Sequence, residues 1–412
     1  MLGRILDQVV RREGTRVLAG LIRLTGDFEL AEEAFQEACA RAAANWPEEG
    51  LPERPGAWLT TVARRYALDL LRRRRTGALP YDELPEPHPP EPAQPVEDPA
   101  DISGVEDDRL RLLFTCCHPA LAPPAQVGLA LRTLAGLSTR EIARAFLEPE
   151  VTTAQRLVRA KRKIREARIP YEVPRPEVFP ERLEAVLAVV YLVFNEGYSA
   201  TDDPGLLRPD LCAEAIRLGR LLVELLPGEP EARALLALML LHHARRETRL
   251  GEDGVLVPLE EQDRGRWDRA AIAEGTALLD AAMAERRAGP YQIQAAIAAL
   301  HARAARPEDT DWPQIAALYG ALLRLAPTPV VELNAAVALA MAEGPEHGLR
   351  WMERLAATEA LAGYHLLPAA RADLLRRTGR VDEARAAYDQ ALRLVRNPAE
   401  RGYLERRMRE LG

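Results

Sequence analysis

Between Val151 and Arg168 the chain carries seven lysines and arginines against one acid, Glu166. Leu157, Ala160 and Ile164 recur at i, i+3 and i+7, the period of a helix with one apolar face. Gln155, Arg156, Arg159, Arg162 and Lys163 are left for its other faces. Guanidinium and ammonium groups so arrayed can neutralise phosphates, while threonine, glutamine and arginine side chains can pair with base edges. Just upstream, Ser138 and Glu141 have the three-residue spacing of a capping box. Ile142, Ala145 and Phe146 then give a short helix one apolar face, and Pro149 stops it. A capped helix, a tight turn and a longer basic helix form the helix-turn-helix pattern, whose second helix enters the major groove of DNA. The candidate phosphate contacts are Arg156, Arg159, Arg162 and Lys163. The candidate base readers are Thr152, Thr153, Gln155 and Arg156.

Other chemistries are poorly supported. Cys39, Cys116, Cys117 and Cys212 show no CxxC spacing, so no metal site is expected, and the thiols read as buried thiols of a reducing cytoplasm. Asn195, Glu196, Tyr198 and Ser199 lie in one short stretch, without a nucleophile, base and orienting group in sequence to make them catalytic. No enzyme activity and no cofactor are expected. The 412 residues are 48% hydrophobic, which gives room for several cored domains, and only 5% aromatic. Alanine, leucine and arginine dominate and favour helix. The net charge of −7 confines any nucleic-acid contact to local basic patches. Charges run through the first residues, and the longest apolar runs, 183–194 and 234–241, are too short to cross a bilayer. A cytoplasmic, non-membrane protein is expected.

The elements that must position the basic helix divide the chain into an all-α arrangement of four parts. Residues 1–75 read as three helices over 9–26, 28–45 and 56–75, with a loop at 46–55. Glu29, Glu32, Glu33 and Glu37 take exposed positions on the second. The third packs through Trp58, Leu59, Val62, Leu68 and Leu71, leaving Arg64, Arg65, Tyr66 and Arg72 to Arg75 for another surface. A basic groove with an aromatic platform suits single-stranded nucleic acid. Residues 76–104 hold eight prolines between Pro80 and Pro99, interleaved with acids, and read as an extended linker. Residues 105–170 contain the helix-turn-helix, and a shorter linker covers 171–180. Residues 181–412 form a helical tail.

These features together resemble a sigma-70-type RNA polymerase sigma factor of the extracytoplasmic-function group. DFELAEEAFQEACARA and RPGAWLTTVARRYALDLLRRRR are similar to the two helices of sigma region 2, and LSTREIARAFLEPEVTTAQRLVRAKRKIR resembles region 4. The resemblance implies core RNA polymerase and promoter DNA as partners. It implies polymerase contacts at Glu32, Glu33, Gln36, Glu37 and Arg41. Contacts to the melted −10 element are implied at Arg64, Arg65, Tyr66 and Arg72, and reading of the −35 element by the basic helix. The linker resembles the connector that threads towards the RNA exit path.

The tail resembles the extension of a subgroup of these factors, with tetratricopeptide-like helix pairs. Gly379, Ala384, Tyr388 and Ala391 mark one pair within 366–394, and weaker echoes fall at 315–344 and 213–243. Phe194 to Ala200 is expected to interrupt an apolar helix at Gly197, and 250–268 to form a charged loop. Asn195, Glu196, Tyr198, Gln262, Asp263, Arg264 and Trp267 would then form a regulatory surface for an intramolecular or protein partner. The competing readings are a helical-repeat scaffold, or a dimeric helix-turn-helix regulator, with no sigma role.

Overall fold

The computed structural model describes residues 2–76, 108–146, 148–198 and 209–412. Helices are their only regular secondary structure. The described residues contain no strand, only an isolated bridge between Leu250 and Leu256. None of their helices is long and apolar enough to cross a membrane. The linker expected at 76–104 lies outside the described residues except for Thr76. The chain forms two compact units, Met1–Val189 and Val190–Gly412.

The first unit opens with three packed helices, α1 (Leu2–Thr25), α2 (Phe28–Glu49) and α3 (Pro55–Thr76). Gly26, at φ 67°, makes the break after α1, a left-handed conformation that costs glycine little. Asp27 then caps α2, accepting from the amides of Glu29 and Leu30 at 2.8 and 3.2 Å. Ala31, Ala34, Ala38 and Ala42 are fully buried along α2. These small side chains allow close helix approach, and Trp46 closes the end edge-on to Trp58, with ring centroids 5.5 Å apart. α2 runs four residues past its expected end, so the loop expected at 46–55 is confined to 50–54. Proline at the first position of α3 suits a helix start, where its missing N–H would be unpaired anyway.

Next come α4 (Asp108–Cys116), α5 (Pro123–Thr133), α6 (Thr139–Ala145) and α7 (Glu150–Glu166). α5 and α6 both pack on α7. The expected capping box is present. Ser138 N and Oγ each lie 2.7 Å from Glu141 Oε2, and the Glu141 amide donates to Ser138 Oγ at 3.2 Å. Leu157, Ala160 and Ile164 are buried, as is Ile142 on α6. Cys116 and Cys117 are buried, unbridged thiols, and burial pushes the Cys116 thiol up to about 12.

α8 (Phe179–Tyr198) is still helical at Gly197, so the expected break does not fall at that residue; Ser199 and Ala200, the rest of the stretch, lie outside the described residues. A Cβ on Gly197 would lie 2.7 Å from the Cys212 backbone nitrogen. The missing side chain lets α8 pack closely against α9 (Pro209–Leu225). α10 (Pro230–His243) is buried from Ala234 through Leu241, and packs on α9, α11 (Arg269–Ala284) and α12 (Pro290–Arg303). A helix apolar all round must be enclosed on every side.

α13 (Trp312–Leu325), α14 (Pro329–Glu343), α15 (Pro345–Ala356), α16 (Leu366–Arg377), α17 (Val381–Leu394) and α18 (Pro398–Arg409) follow, each packed on its neighbour in sequence. The three helix pairs expected in the tail correspond to α9–α10, α13–α14 and α16–α17. In the last, Gly379 turns the chain at φ 75°, and Ala384, Tyr388 and Ala391 are buried. The 250–268 segment crosses to the end of the unit. The Leu256 amide donates to Ala399 O at 3.1 Å. Glu261 meets Arg406 at 2.8 Å and Arg407 at 2.7 Å, and Glu260 meets Arg377 at 3.0 Å.

Candidate nucleic-acid interface

α7 presents Thr152, Gln155, Arg159, Arg162 and Lys163 to solvent. Thr152, Arg156, Arg159 and Lys163 line a cleft of about 400 Å³ against the turn Ala120–Ala122 and Ala125. Arg162 pairs with Glu166 at 2.6 Å, which raises the guanidinium and lowers the carboxyl from their ordinary values. Both groups are exposed, so this pair adds little stability and can yield to a phosphate.

Two expected base readers are differently engaged. Thr153 is buried, and its hydroxyl donates to Glu148 Oε1 at 2.5 Å. Arg156 holds both oxygens of Glu148, at 2.6 and 2.5 Å. Burial alone would raise the Glu148 carboxyl. The hydrogen bonds from Arg156 and Thr153 outweigh it and hold the group below the ordinary range. Glu148 thereby clamps the turn to the first two turns of α7. Thr153 presents no edge to a groove, and Arg156 reaches one only by leaving a bidentate, charge-assisted pair. Val151 and Val158, not anticipated from the sequence, are 66% and 55% exposed on the same helix. The only signal in the sequence was that neither falls on the Leu157–Ile164 stripe.

On the three-helix bundle, Glu33 and Gln36 are exposed, while Glu37 and Arg41 are half-buried and paired at 2.8 Å. Tyr66 Oη donates to Glu33 at 3.2 Å, and the Arg41 guanidinium lies 5.9 Å from the Tyr66 ring centroid. Residues assigned by resemblance to two different partners thus form one cluster across α2 and α3. Arg64, Arg65 and Arg72 are exposed, Arg72 with Asp69 at 3.5 Å. Glu32 departs from the expected exposed face. Its carboxylate is taken up by Lys161 of α7 at 2.6 Å.

In the second unit, much of the expected regulatory surface is interior. Gln262, Arg264 and Trp267 are buried. Trp267 Nε1 donates to Thr248 Oγ1 at 3.0 Å, and Gln262 Nε2 donates to Val257 O at 2.9 Å. Arg264 donates to His301 O and Ala304 O at 2.6 and 2.9 Å, covering carbonyls that α12 leaves unpaired at its end. Asp263 accepts from the Gly265 amide at 2.9 Å. Tyr198 stacks on Phe194 at 5.5 Å and lies under the buried Arg249 guanidinium, 3.6 Å from its ring centroid. Of the set, Asn195 and Asp263 are exposed, and Glu196 and Tyr198 are half-buried. Among the described residues no group of three or more His, Cys, Asp or Glu side chains is arranged to hold a metal ion.

An all-α chain with an acidic second helix, a basic third helix and a downstream helix-turn-helix has the parts of a transcription initiation factor. Comparison with known proteins narrows the class. A family model described as sigma-70 region 2 matches residues 9–76, the three-helix bundle. A second, described as a family of unknown function (DUF6596), matches residues 182–283. The chain thus carries the region 2 of the sigma-70 family, followed by a long C-terminal extension.

Among curated proteins it is 49% identical over 397 residues to "Uncharacterized protein R00370" of Rhizobium meliloti (strain 1021), across 96% of this chain and 93% of that one. It is 30% identical over 151 residues to "Probable ECF RNA polymerase sigma factor SigI" of Mycobacterium tuberculosis, across 37% of this chain and 51% of the relative. The sequences from strains CDC 1551 / Oshkosh and ATCC 25618 / H37Rv give the same values. No solved structure matches the chain.

Proposed function

We propose that this sigma factor joins core RNA polymerase through α2, reads a −35 element through α7, and engages the melted −10 strand through α3. The observation that carries the reading is the exposed basic face of α7. Arg159, Arg162 and Lys163 suit phosphates, and Thr152, Gln155 and the two valines flank them where base edges would lie. Valine offers apolar contact to a thymine methyl, which the major groove alone displays. Arg64, Arg65 and Tyr66 of α3 supply cations beside an aromatic ring. The tail is the regulatory part, with Asn195, Glu196 and Asp263 as its accessible candidates.

The test is promoter binding by the holoenzyme as a function of salt. Arg159→Ala and Lys163→Ala are each expected to weaken binding across all sequences. Each should lower the slope of log affinity against log salt by about one, because one fewer counterion is released per lost phosphate contact. Unchanged slopes in both variants would remove α7 from the DNA interface.

A further inference from the structure

We infer that the second unit holds a binding site for a small, doubly charged oxyanion of the phosphate class, built from Arg245, Arg249 and Arg264 around Tyr198 and His301. None of these residues is assigned to polymerase or to DNA, so the site stands or falls apart from the sigma reading. Arg245 and Arg249 follow α10, and Arg264 opens the single turn Arg264–Arg266. Arg249 and Arg264 are buried. The Arg249 and Arg245 guanidiniums lie 3.6 and 5.7 Å from the centroid of one ring, Tyr198. The His242 ring is 5.2 Å from the same centroid, and its Nδ1 is 3.2 Å from Arg245 Nη2. On the other side Arg264 donates to His301 O at 2.6 Å, and Arg245 acts on both His301 and Arg264 by like charge. Tyr198 Oη, Arg264 Nε and His301 Nδ1 are buried atoms with no hydrogen-bond partner among the described residues. Orphaned polar atoms are rare in folded chains, and this cluster holds three.

The charge of the cluster calls for an anion. Among the described residues no carboxylate lies at ion-pair distance from any of the three arginines. The acids that act on them from further away have partners of their own. Glu400 acts on Arg249 but lies 3.2 Å from His365, and Asp309 acts on Arg264 but pairs with Arg306 at 2.9 Å. The helix-end carbonyls that Arg249 and Arg264 reach supply only about half an elementary charge per helix. Burial lowers both guanidiniums from their ordinary value, the mark of cations that are costly to hold unpaired. Burial also keeps the His242 and His301 rings neutral, and a neutral imidazole adds an N–H donor without adding charge. A doubly charged oxyanion offsets three guanidiniums better than a monocarboxylate does, and guanidinium forks match phosphate oxygens. Tyr198, His242, Arg245 and His301 are only half-buried, so the cluster reaches the surface and a small ion has a way in.

The experiment is calorimetric titration of inorganic phosphate into the full chain at constant ionic strength in chloride, with acetate as a second titrant. Saturable binding of phosphate, and none of acetate, is the expected result. Arg245→Gln should weaken phosphate binding roughly tenfold, the loss of one charge-assisted contact. Tyr198→Phe, which keeps the ring under Arg249 and removes only Oη, should weaken it several-fold. Both variants spare Arg249 and Arg264, whose hydrogen bonds tie down the ends of α8 and α12. Phosphate also stabilises proteins through exclusion from their surface, an effect that the two substitutions leave unchanged. Phenyl phosphate as a third titrant separates a site for the free ion from one for the phosphoryl group of a larger molecule, and either is a ligand of the inferred class. No saturable heat with millimolar phosphate, or folded Arg245→Gln and Tyr198→Phe chains that both keep the parent's affinity, would overturn the site. Acetate bound as tightly as phosphate would overturn its assignment to a doubly charged oxyanion.

Discussion

Arg249 and Arg264 are buried, and neither has a carboxylate at ion-pair distance among the described residues. Each donates to carbonyl oxygens at a helix end. Arg249 donates to Tyr198 O, the last residue of α8, and Arg264 to His301 O and Ala304 O at the end of α12. The negative end of a helix takes the place of a counterion. Their positive charge has a consequence for the histidines beside them. Burial, with Arg245 and Arg264 nearby, lowers His301 to about 4, and burial with Arg245 and Arg249 lowers His242 well below its ordinary value. A histidine with a depressed native pKa contributes stability that is complete above the unfolded value near 6.5 and is lost as pH falls towards 4. The melting temperature of the chain should therefore fall between pH 7 and pH 5. His301→Phe, which keeps a ring edge-on to Trp312 and has nothing to titrate, should flatten part of that slope. A slope identical to the parent's would show that His301 takes up its proton without cost.

Elements whose signals are local were legible in the sequence. The capping box at Ser138 and Glu141, the Gly26–Asp27 break, and the α16–α17 pair follow from neighbouring residues, and the structure contains all three. Side chains whose partner lies across a turn or on another helix were not legible. Nothing in the spacing of Thr153 and Arg156 says that Glu148 folds back to take both. Glu32 shares a helical face with Glu29 and Glu33 in sequence, and only the packing of α7 separates it from them. Gln262, Arg264 and Trp267 sit in a polar, charged stretch that reads as a surface loop, yet it is drawn inward by hydrogen bonds to Thr248, Val257 and the end of α12. Gly197 misled for a related reason, since a glycine in a helix signals either an end or a close approach, and its neighbour Cys212 is distant in sequence. Gly197→Ala should destabilise the second unit by about 1–3 kcal/mol through overpacking, measured by denaturant titration. An alanine chain as stable as the parent would mean that α8 and α9 can move apart at no cost.

At the scale of the molecule, a net charge of −7 is reconciled with DNA binding by segregation. α3 and α7 each carry a cluster of exposed cations, while Glu260 and Glu261 tie the tail together through Arg377, Arg406 and Arg407. The first unit carries every residue assigned to polymerase or promoter, and the second carries the extension matched in part by a family of unknown function. The most direct measurement is run-off transcription with purified core RNA polymerase on promoters near the chain's own gene, comparing the full chain with Arg159→Ala. The account predicts a specific transcript that requires the chain and weakens several-fold with Arg159→Ala, the expected cost of one lost phosphate contact. No transcript from any such promoter, with no assembly of the chain on core polymerase, would contradict it.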